Sequence, residues 1–141
     1  MAQVTKMSIE VDVNPTESEE KVKKAVWNLF GDVPTELKPA SKGSILTAEA
    51  KGIEPLGTFR NVLSRDKIRD ASRKALFHGL RGDTFTFYLN KQVAYAGHVS
   101  FCEADAESPL GPIKVTVQSS DPQQLVDWLA PRTTRSRSGT A

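Results

Sequence analysis

Apolar and polar residues alternate along five segments of the chain, a pattern typical of strands that bury one face. The first segment, MSIEVDV, puts one methionine, one isoleucine and two valines on one face and polar or acidic residues on the other. The predicted strands cover residues 7–13, 44–51, 84–89, 93–102 and 113–117. Residues 36–39, inside a loop with two prolines and a glycine, are a weaker candidate for a further short strand.

Apolar residues spaced three and four apart predict helices between these strands. The first helix covers 17–30, with Thr16 and Glu19 as a capping box and Gly31 as its C-terminal stop. Further helices are expected at 56–63, at 67–80 with Asp66 as the cap, and after Asp121-Pro122.

The short connection Asn90-Lys91-Gln92 predicts a hairpin between the third and fourth strands, with Lys91 at its tip. The element order is then β-α-β-α-α-β-β-β-α. Hairpin-rich strands with helices set between them favour an α+β fold, in which the helices pack on one face of a mainly antiparallel sheet.

Each predicted element presents one apolar face, so we expect a single core. Its predicted members are Ile9, Val11, Val22, Val26, Leu29, Leu46, Ile68, Phe85, Phe87, Val99, Val115 and Leu125. The length of 141 residues suits one domain, which we place at residues 1–130. Residues 131–141 carry almost no apolar side chains and are expected to form a disordered basic tail.

The composition limits which cellular compartments and which classes of protein are possible. Cys102 is the only cysteine, which excludes an internal disulfide and a cysteine-based zinc finger. No run of 18 apolar residues is present and the N-terminus lacks a secretory signal. We therefore expect a cytoplasmic protein with no membrane partner.

The net charge of +2 says little about partners, because three arginines in the tail produce it. Without Arg132, Arg135 and Arg137 the chain has sixteen basic and seventeen acidic residues. The local distribution of charge is therefore more informative than the total.

The densest basic stretch runs from Arg60 to Arg81, with seven cations against two acids. Helical spacing would place Arg65, Arg69 and Arg73 in one row, able to contact several phosphates. Phe77 falls on the same side and could stack on an unpaired base. The candidate RNA-binding residues are Arg60, Arg65, Lys67, Arg69, Arg73, Lys74, Phe77, Arg81 and, at the hairpin tip, Lys91. The alternatives are an ordinary solvated helix face and a core position for Phe77.

No motif for a familiar enzyme class is present, whether a phosphate-binding glycine loop, GxSxG, HExxH or CxxC. His98 and Cys102 would be too far apart on one strand to act as a nucleophile pair. The acidic loop 103–107 could bind a hard cation, but solvated loop acids are commoner. We therefore predict no catalytic residues, no metal ligands and no cofactor, and a protein that is not an enzyme.

Three blocks carry a resemblance to a known family: IRDASRKAL, FYLNKQVAYAGHVSFCE and ESPLGPIKV, at 68–76, 87–103 and 107–115. Together with the opening MSIEVDVNPTESEEKVKKAV, they resemble an uncharacterised archaeal protein family described as predicted RNA-binding or exosome-associated. The similarity extends over residues 7–129. It implies a fold like that of the large-subunit ribosomal protein that contacts 5S ribosomal RNA.

The resemblance brings no verified functional residue with it. It implies a non-catalytic RNA-binding domain, associated with RNA processing or the ribosome, with RNA and a protein complex as partners. The alternative is an assembly subunit that uses an exposed sheet edge and does not contact RNA.

Overall fold

The computed structural model describes residues 5–40, 43–102 and 112–131. Residues 132–141 of the predicted disordered tail 131–141, and the acidic loop 103–107, lie outside these ranges. The strands are β1 (Thr5–Val13), β2 (Thr35–Pro39), β3 (Ser44–Lys51), β4 (Leu80–Arg81), β5 (Thr84–Asn90), β6 (Phe101–Cys102) and β7 (Pro112–Ser119). The helices are α1 (Glu19–Phe30), α2 (Glu54–Arg65), α3 (Arg69–His78), α4 (Lys91–Tyr95) and α5 (Pro122–Leu129).

All strand pairs of the described sheet are antiparallel, in the order β2-β3-β1-β7-β5-β4, with β6 pairing to β5 as well. The register brings apolar residues of neighbouring strands side by side, as where Ile9 lies between Ala48 and Val115. Every second residue of β1 is buried and the others are exposed. The sheet therefore has one apolar face and one open polar face, as the alternating sequence predicts.

The helices cover the apolar face, which confirms the α+β class and the antiparallel sheet. Phe30 of α1 and Phe59 of α2 stack at 5.0 Å between ring centroids, and Phe59 stacks on Phe87 of β5 at 5.4 Å. These rings join both helices to the sheet. The predicted core is confirmed except at Ile68, which is only partly buried.

The predicted element order is confirmed, with β4 and α4 as short additions, and β2 confirms the weaker candidate strand at 36–39. The long hairpin strand at 93–102 is wrong, because α4 occupies its first part and only Phe101–Cys102 pairs with β5. Asn90 caps α4, since its side chain accepts a hydrogen bond of 3.0 Å from the Val93 amide. This cap turns the chain into a helix where alternation alone indicates a strand.

The start of α1 also differs from the prediction. Ser18, and not Thr16, is the N-cap, and its hydroxyl accepts from the Lys21 amide at 3.4 Å. Glu17 lies before the helix and turns inward to Lys91. The predicted capping box is therefore wrong. The predicted end of the helix at Gly31 is confirmed by the φ of 80° of this residue and by the hydrogen bond that its N–H donates to the Trp27 carbonyl.

Candidate nucleic-acid interface

The basic stretch from Arg60 to Arg81 is divided between α2, α3 and β4. Arg65 ends α2 and Arg69 begins α3, and Lys67 turns the chain between them with a φ of 58°. The predicted row of Arg65, Arg69 and Arg73 along one helix is therefore wrong. Lys67 itself is exposed, and the side chain of Arg69 lies outside the described part of the molecule.

Arg60 and Arg73 are both engaged with α5. The Arg60 Nε donates to the Trp128 carbonyl at 2.8 Å, and its guanidinium lies 5.3 Å from the Trp128 ring centroid. Arg73 Nη1 lies 2.5 Å from the Asp127 carboxylate and 3.3 Å from the Ala130 carbonyl. These contacts hold α5 against α2 and α3, so a packing role accounts for both arginines.

Phe77 lies beside Arg73 on α3. The Arg73 guanidinium stands over the Phe77 ring at 4.9 Å from its centroid, and the ring is half-buried against the core. One face of the ring is therefore already covered by a cation. This arrangement leaves little of Phe77 for the base stacking that the sequence predicts.

Asp66 joins the end of α2 to the segment after α4. Its Oδ1 lies 3.0 Å from His98 Nδ1 and accepts from Arg65 Nε at 3.3 Å, and its Oδ2 accepts from the Val99 amide at 3.1 Å. Burial raises the pKa of Asp66, but the bonds from His98, Val99 and Arg65 outweigh burial and lower it. The predicted capping of α3 by Asp66 is therefore wrong, because Ile68 precedes that helix without a side-chain cap.

Lys91 is buried, and the predicted position at an exposed hairpin tip is wrong. Its side chain has no solvent exposure, and its Nζ lies 3.0 Å from Oε1 of Glu17 and 2.6 Å from the Asp12 carbonyl. The Tyr95 hydroxyl donates to the other oxygen of Glu17 at 2.8 Å. Lys91 therefore fixes α4 to the end of β1 and is not available to a nucleic acid.

Two members of this buried cluster, Glu17 and Tyr95, have shifted pKa values. Burial raises the pKa of Glu17, but bonds from Asn14, Lys91 and Tyr95 outweigh burial and lower it. Burial and the Glu17 carboxylate both raise the pKa of Tyr95 well above its usual value. Glu17 is therefore held as a carboxylate, and Tyr95 as a neutral donor to it.

Lys74 and Arg81 come together in a groove between α3 and the outer side of β5, which we call the α3–β5 groove. Its volume is about 610 Å³. From α3 it is lined by Ala71, Lys74, Ala75 and His78, and from the sheet by Arg81, Thr86, Phe87, Tyr88, Phe101 and Cys102. The groove thus combines the cations Lys74 and Arg81 with the aromatic side chains of its lining.

Local sequence explains why the groove exists. Ala71 and Ala75 are small side chains one helical turn apart, so α3 leaves open space beside the sheet. Gly79 brings the end of α3 directly against β5, because its carbonyl accepts from the Thr86 amide at 3.2 Å. Any β-carbon at residue 79 would overlap the Thr86 carbonyl oxygen. The glycine therefore sets the floor of the groove.

The cations of the groove remain accessible. Lys74 is exposed and has no ion-pair partner among the residues that the structure describes. Arg81 uses one terminal nitrogen, Nη1, to donate to the carbonyls of His78 and Leu80 at 3.2 and 2.7 Å. These bonds orient the guanidinium at the end of α3 while its other N–H groups have no bond to any described residue.

Tyr88, Phe101 and His78 are the residues of the groove that the sequence pattern does not identify. Alternation places Tyr88 only on the polar face of its strand, and an aromatic ring at such a position is the signal that could have identified it. Alternation places Phe101 on a core face, and it does pack on Phe87 at 5.8 Å, but it also borders the groove.

Comparison with known proteins identifies the family. A family model described as RNA binding matches residues 6–119. A UPF0201 protein of Sulfurisphaera tokodaii is 45% identical over 94% of this chain and 91% of its own length. The chain belongs to the UPF0201 family. A UPF0201 protein of Pyrobaculum aerophilum is 44% identical, with 90% of each chain covered.

Solved UPF0201 structures share the fold. The crystal structure of the Methanococcus jannaschii UPF0201 protein matches with a TM-score of 0.79 at 29% identity, covering 89% of this chain and 99% of that one. A second UPF0201 crystal structure matches with a TM-score of 0.76 at 32% identity, covering 94% and 98%. The archaeal family that the sequence blocks resemble is therefore confirmed, together with its description as RNA-binding.

Membrane spans and metal clusters are the two other classes of site that bear on function. No helix within residues 5–40, 43–102 and 112–131 is long and apolar enough to cross a membrane. In the same part of the chain, no three His, Cys, Asp or Glu side chains are grouped as metal ligands. The acidic loop 103–107, predicted as an alternative cation site, is not among those residues.

Proposed function

We propose that this UPF0201 protein binds single-stranded RNA, without catalysing a reaction, through the α3–β5 groove. The observation that carries the proposal is the pairing of accessible cations, Lys74 and Arg81, with the aromatic side chains Tyr88 and Phe101 in one groove. It agrees with the family description of RNA binding over residues 6–119. Cationic grooves with aromatic rings are the usual means of binding unpaired nucleic acid.

The distribution of charge favours the groove over the open face of the sheet. Apart from Arg81, which lies at the groove, the charged residues on that face balance: they are Lys6, Lys38, Lys51 and Lys114 against Glu10, Asp12, Glu36 and Glu49. Phosphate attraction depends on unbalanced positive charge, so this face offers little of it. Among the described residues that line the groove, Lys74 and Arg81 carry positive charge and none is an acid.

The aromatic side chains favour unpaired bases as the ligand. Tyr88 is half-buried at the sheet edge, where a base could lie on its ring while the backbone passes Lys74 and Arg81. Stacking of this kind contributes roughly 1–3 kcal/mol per base. A duplex keeps its bases paired and cannot use the ring, so single strands are the preferred class.

The cellular setting belongs to the same proposal. We place the protein in the cytoplasm, acting with the RNA-processing or ribosomal machinery, as the archaeal RNA-binding family suggests. A groove without catalytic motifs suits a binding subunit that holds RNA for other factors.

The test is a titration of labelled single-stranded RNA, and of the same strand annealed to its complement, at two salt concentrations. The charge-reversal variant Lys74→Glu/Arg81→Glu should bind weakly, and its salt slope should fall by about 1.4, since each single-strand phosphate contact contributes about 0.7. The matched control Lys6→Glu/Lys51→Glu makes the same charge change on the open face and should bind like wild type.

The contribution of the Tyr88 ring is tested separately from that of the Lys74 and Arg81 charges. Tyr88→Ala should weaken single-stranded binding more than duplex binding, while Tyr88→Phe should retain it because the stacking surface remains. Equal losses in the groove variant and the open-face control, or no RNA binding by wild type at low salt, would contradict the proposal.

The second candidate function is an assembly subunit that does not contact RNA. A specific observation favours it: Trp27 on α1 is 58% exposed and Leu37 on β2 is 38% exposed, at the edge of the sheet opposite the groove. A protein partner bound by wild type and lost in Trp27→Ser/Leu37→Ser, in a chain that binds no RNA at low salt, would support this function over RNA binding.

A further inference from the structure

The outer side of β2 forms a free edge of the sheet. β2 is first in the strand order, and no strand in the described part of the chain pairs with its outer side. All five of its residues, TELKP, are exposed. An unpaired edge presents main-chain donors and acceptors to any strand that can approach it.

The direction of the main-chain groups on this edge follows from the pairing of β2 with β3. The Ala40 amide donates to the Gly43 carbonyl at 3.2 Å. The main-chain groups of Ala40 therefore point toward β3. Main-chain direction alternates along a strand. Thr35 and Leu37 therefore point their N–H and C=O groups outward. Pro39 also faces outward, but it offers only its C=O because proline has no N–H to donate.

We propose that β2 pairs antiparallel with β2 of a second copy of this chain, with the two-fold axis at Leu37. In this register the N–H and C=O of Leu37 bond to those of Leu37 in the second copy. Each Thr35 amide bonds to the carbonyl of Pro39 in the other copy, so the missing N–H of Pro39 does not block the ladder.

The same register makes the charges complementary. Glu36 of one copy lies directly opposite Lys38 of the other, and the relationship repeats across the axis. Directly opposed residues of antiparallel strands have β-carbons about 4.5–5.5 Å apart, which allows opposite charges to pair. Moving the axis by one residue along the strand would place either Lys38 opposite Lys38 or Glu36 opposite Glu36, so the charges select the Leu37-centred pairing.

Apolar side chains lie on the helix side of this edge. Leu37 is 38% exposed and shares that side with Thr35, because their partners on β3 are Leu46 and Ala48 of the apolar face. Trp27, which is 58% exposed, lines the same surface as Thr35. A two-fold axis perpendicular to the sheet places both helix layers on one side, and so brings the two apolar surfaces toward each other.

The proposed contact between the two β2 strands is small, and its size determines how tightly the two copies should associate. A five-residue strand with one tryptophan and one leucine provides less surface than the roughly 1,200 Å² typical of stable complexes. We therefore expect a dimer whose population rises with protein concentration. This inference does not depend on RNA binding, because the edge lies across the sheet from the α3–β5 groove.

Sedimentation velocity of the full chain, freed of nucleic acid by nuclease and high salt, tests the pairing over a range of concentrations. Wild type should shift from monomer to dimer. Glu36→Lys and Lys38→Glu should each remain monomeric, because each places like charges opposite one another. An equimolar mixture of the two variants should form dimers again, since both opposed positions across the axis then pair one lysine with one glutamate.

The control is Glu49→Lys, an identical charge change on the neighbouring strand β3 that should dimerise like wild type. Leu37→Pro removes the outward N–H at the axis and should prevent dimerisation while the chain still unfolds cooperatively. A wild type that stays monomeric at its highest soluble concentration, or a dimer that survives both single charge changes, would overturn the proposal.

Discussion

The ammonium of Lys91 lies 3.0 Å from Oε1 of Glu17 with the lysine side chain fully buried. The two residues are 74 positions apart in the chain, and the pair joins the segment before α1 to the first residue of α4. Asp12, Asn14 and Tyr95 supply further hydrogen bonds to the same two groups. The ion pair and these hydrogen bonds hold the end of β1, the segment before α1 and the start of α4 against one another.

Lys91→Met should lower the free energy of unfolding by about 3–5 kcal/mol, because it leaves the Glu17 carboxylate buried without its cation. The double variant Glu17→Gln/Lys91→Met should be less destabilised than the two single losses combined. Urea unfolding of the four proteins in the cycle measures the coupling. A Lys91→Met protein as stable as wild type would contradict the assigned burial and pairing.

Acid should destabilise the protein through Glu17 and Asp66. Both carboxyls have a lower pKa in the folded chain than their usual values of 4.5 and 3.8. The unfolded chain therefore binds protons more readily, and the stabilisation, complete above about pH 5, is lost as the pH falls through the folded pKa values. Urea unfolding between pH 7 and pH 3 should show this loss. Glu17→Gln/Asp66→Asn should be less stable at pH 7 and show a smaller pH dependence, and an unchanged dependence would contradict the assignment.

The sequence predicted the sheet well because its strands obey a simple rule. Residues of β1, β3, β5 and β7 alternate between an apolar and a polar side, and burial of the apolar side fixes their register. The same rule failed at 93–102, because α4 includes residues 93–95 and only Phe101–Cys102 forms a strand. The cap from Asn90 and the ion pair of Lys91 decide that segment, and the second of these joins residues distant in sequence.

The sequence predicted only part of the candidate site, because the rest depends on contacts between residues distant in the chain. Charge clustering identified Lys74 and Arg81 as members of a basic surface, and the structure brings these two together in the α3–β5 groove. The same clustering could not separate them from Arg60 and Arg73, because the engagement of those arginines with α5 depends on tertiary packing. Tyr88 and Phe101 join the groove only through the pairing of β5 with β6.

Arg73→Glu should lower stability, which sets Arg73 apart from a residue that acts only on RNA. The change removes the bonds to Asp127 and Ala130 and the contact with Phe77, and places two carboxylates together. A loss of about 1–2 kcal/mol is expected, because the pair is partly exposed. Thermal unfolding measures it, with Lys74→Glu one residue away as a control that should unfold near wild type. Arg73→Glu/Asp127→Arg should recover part of the loss, and a thermally silent Arg73→Glu would assign the residue to the surface instead.

Two glycine-to-alanine changes should have opposite effects. Gly79→Ala places a β-carbon against the Thr86 carbonyl, so the end of α3 must move away from β5, with loss of stability and of RNA binding in the α3–β5 groove. Gly57→Ala lies within α2, and its β-carbon would meet only the Trp128 ring at 3.9 Å, an ordinary contact. Alanine is the better helix former by about 1 kcal/mol, so Gly57→Ala should raise the melting temperature and leave RNA binding unchanged. Calorimetry and RNA titration of both variants provide the measurement. If Gly79→Ala were as stable and as active as Gly57→Ala, the close approach of α3 to β5 would not be what shapes the groove.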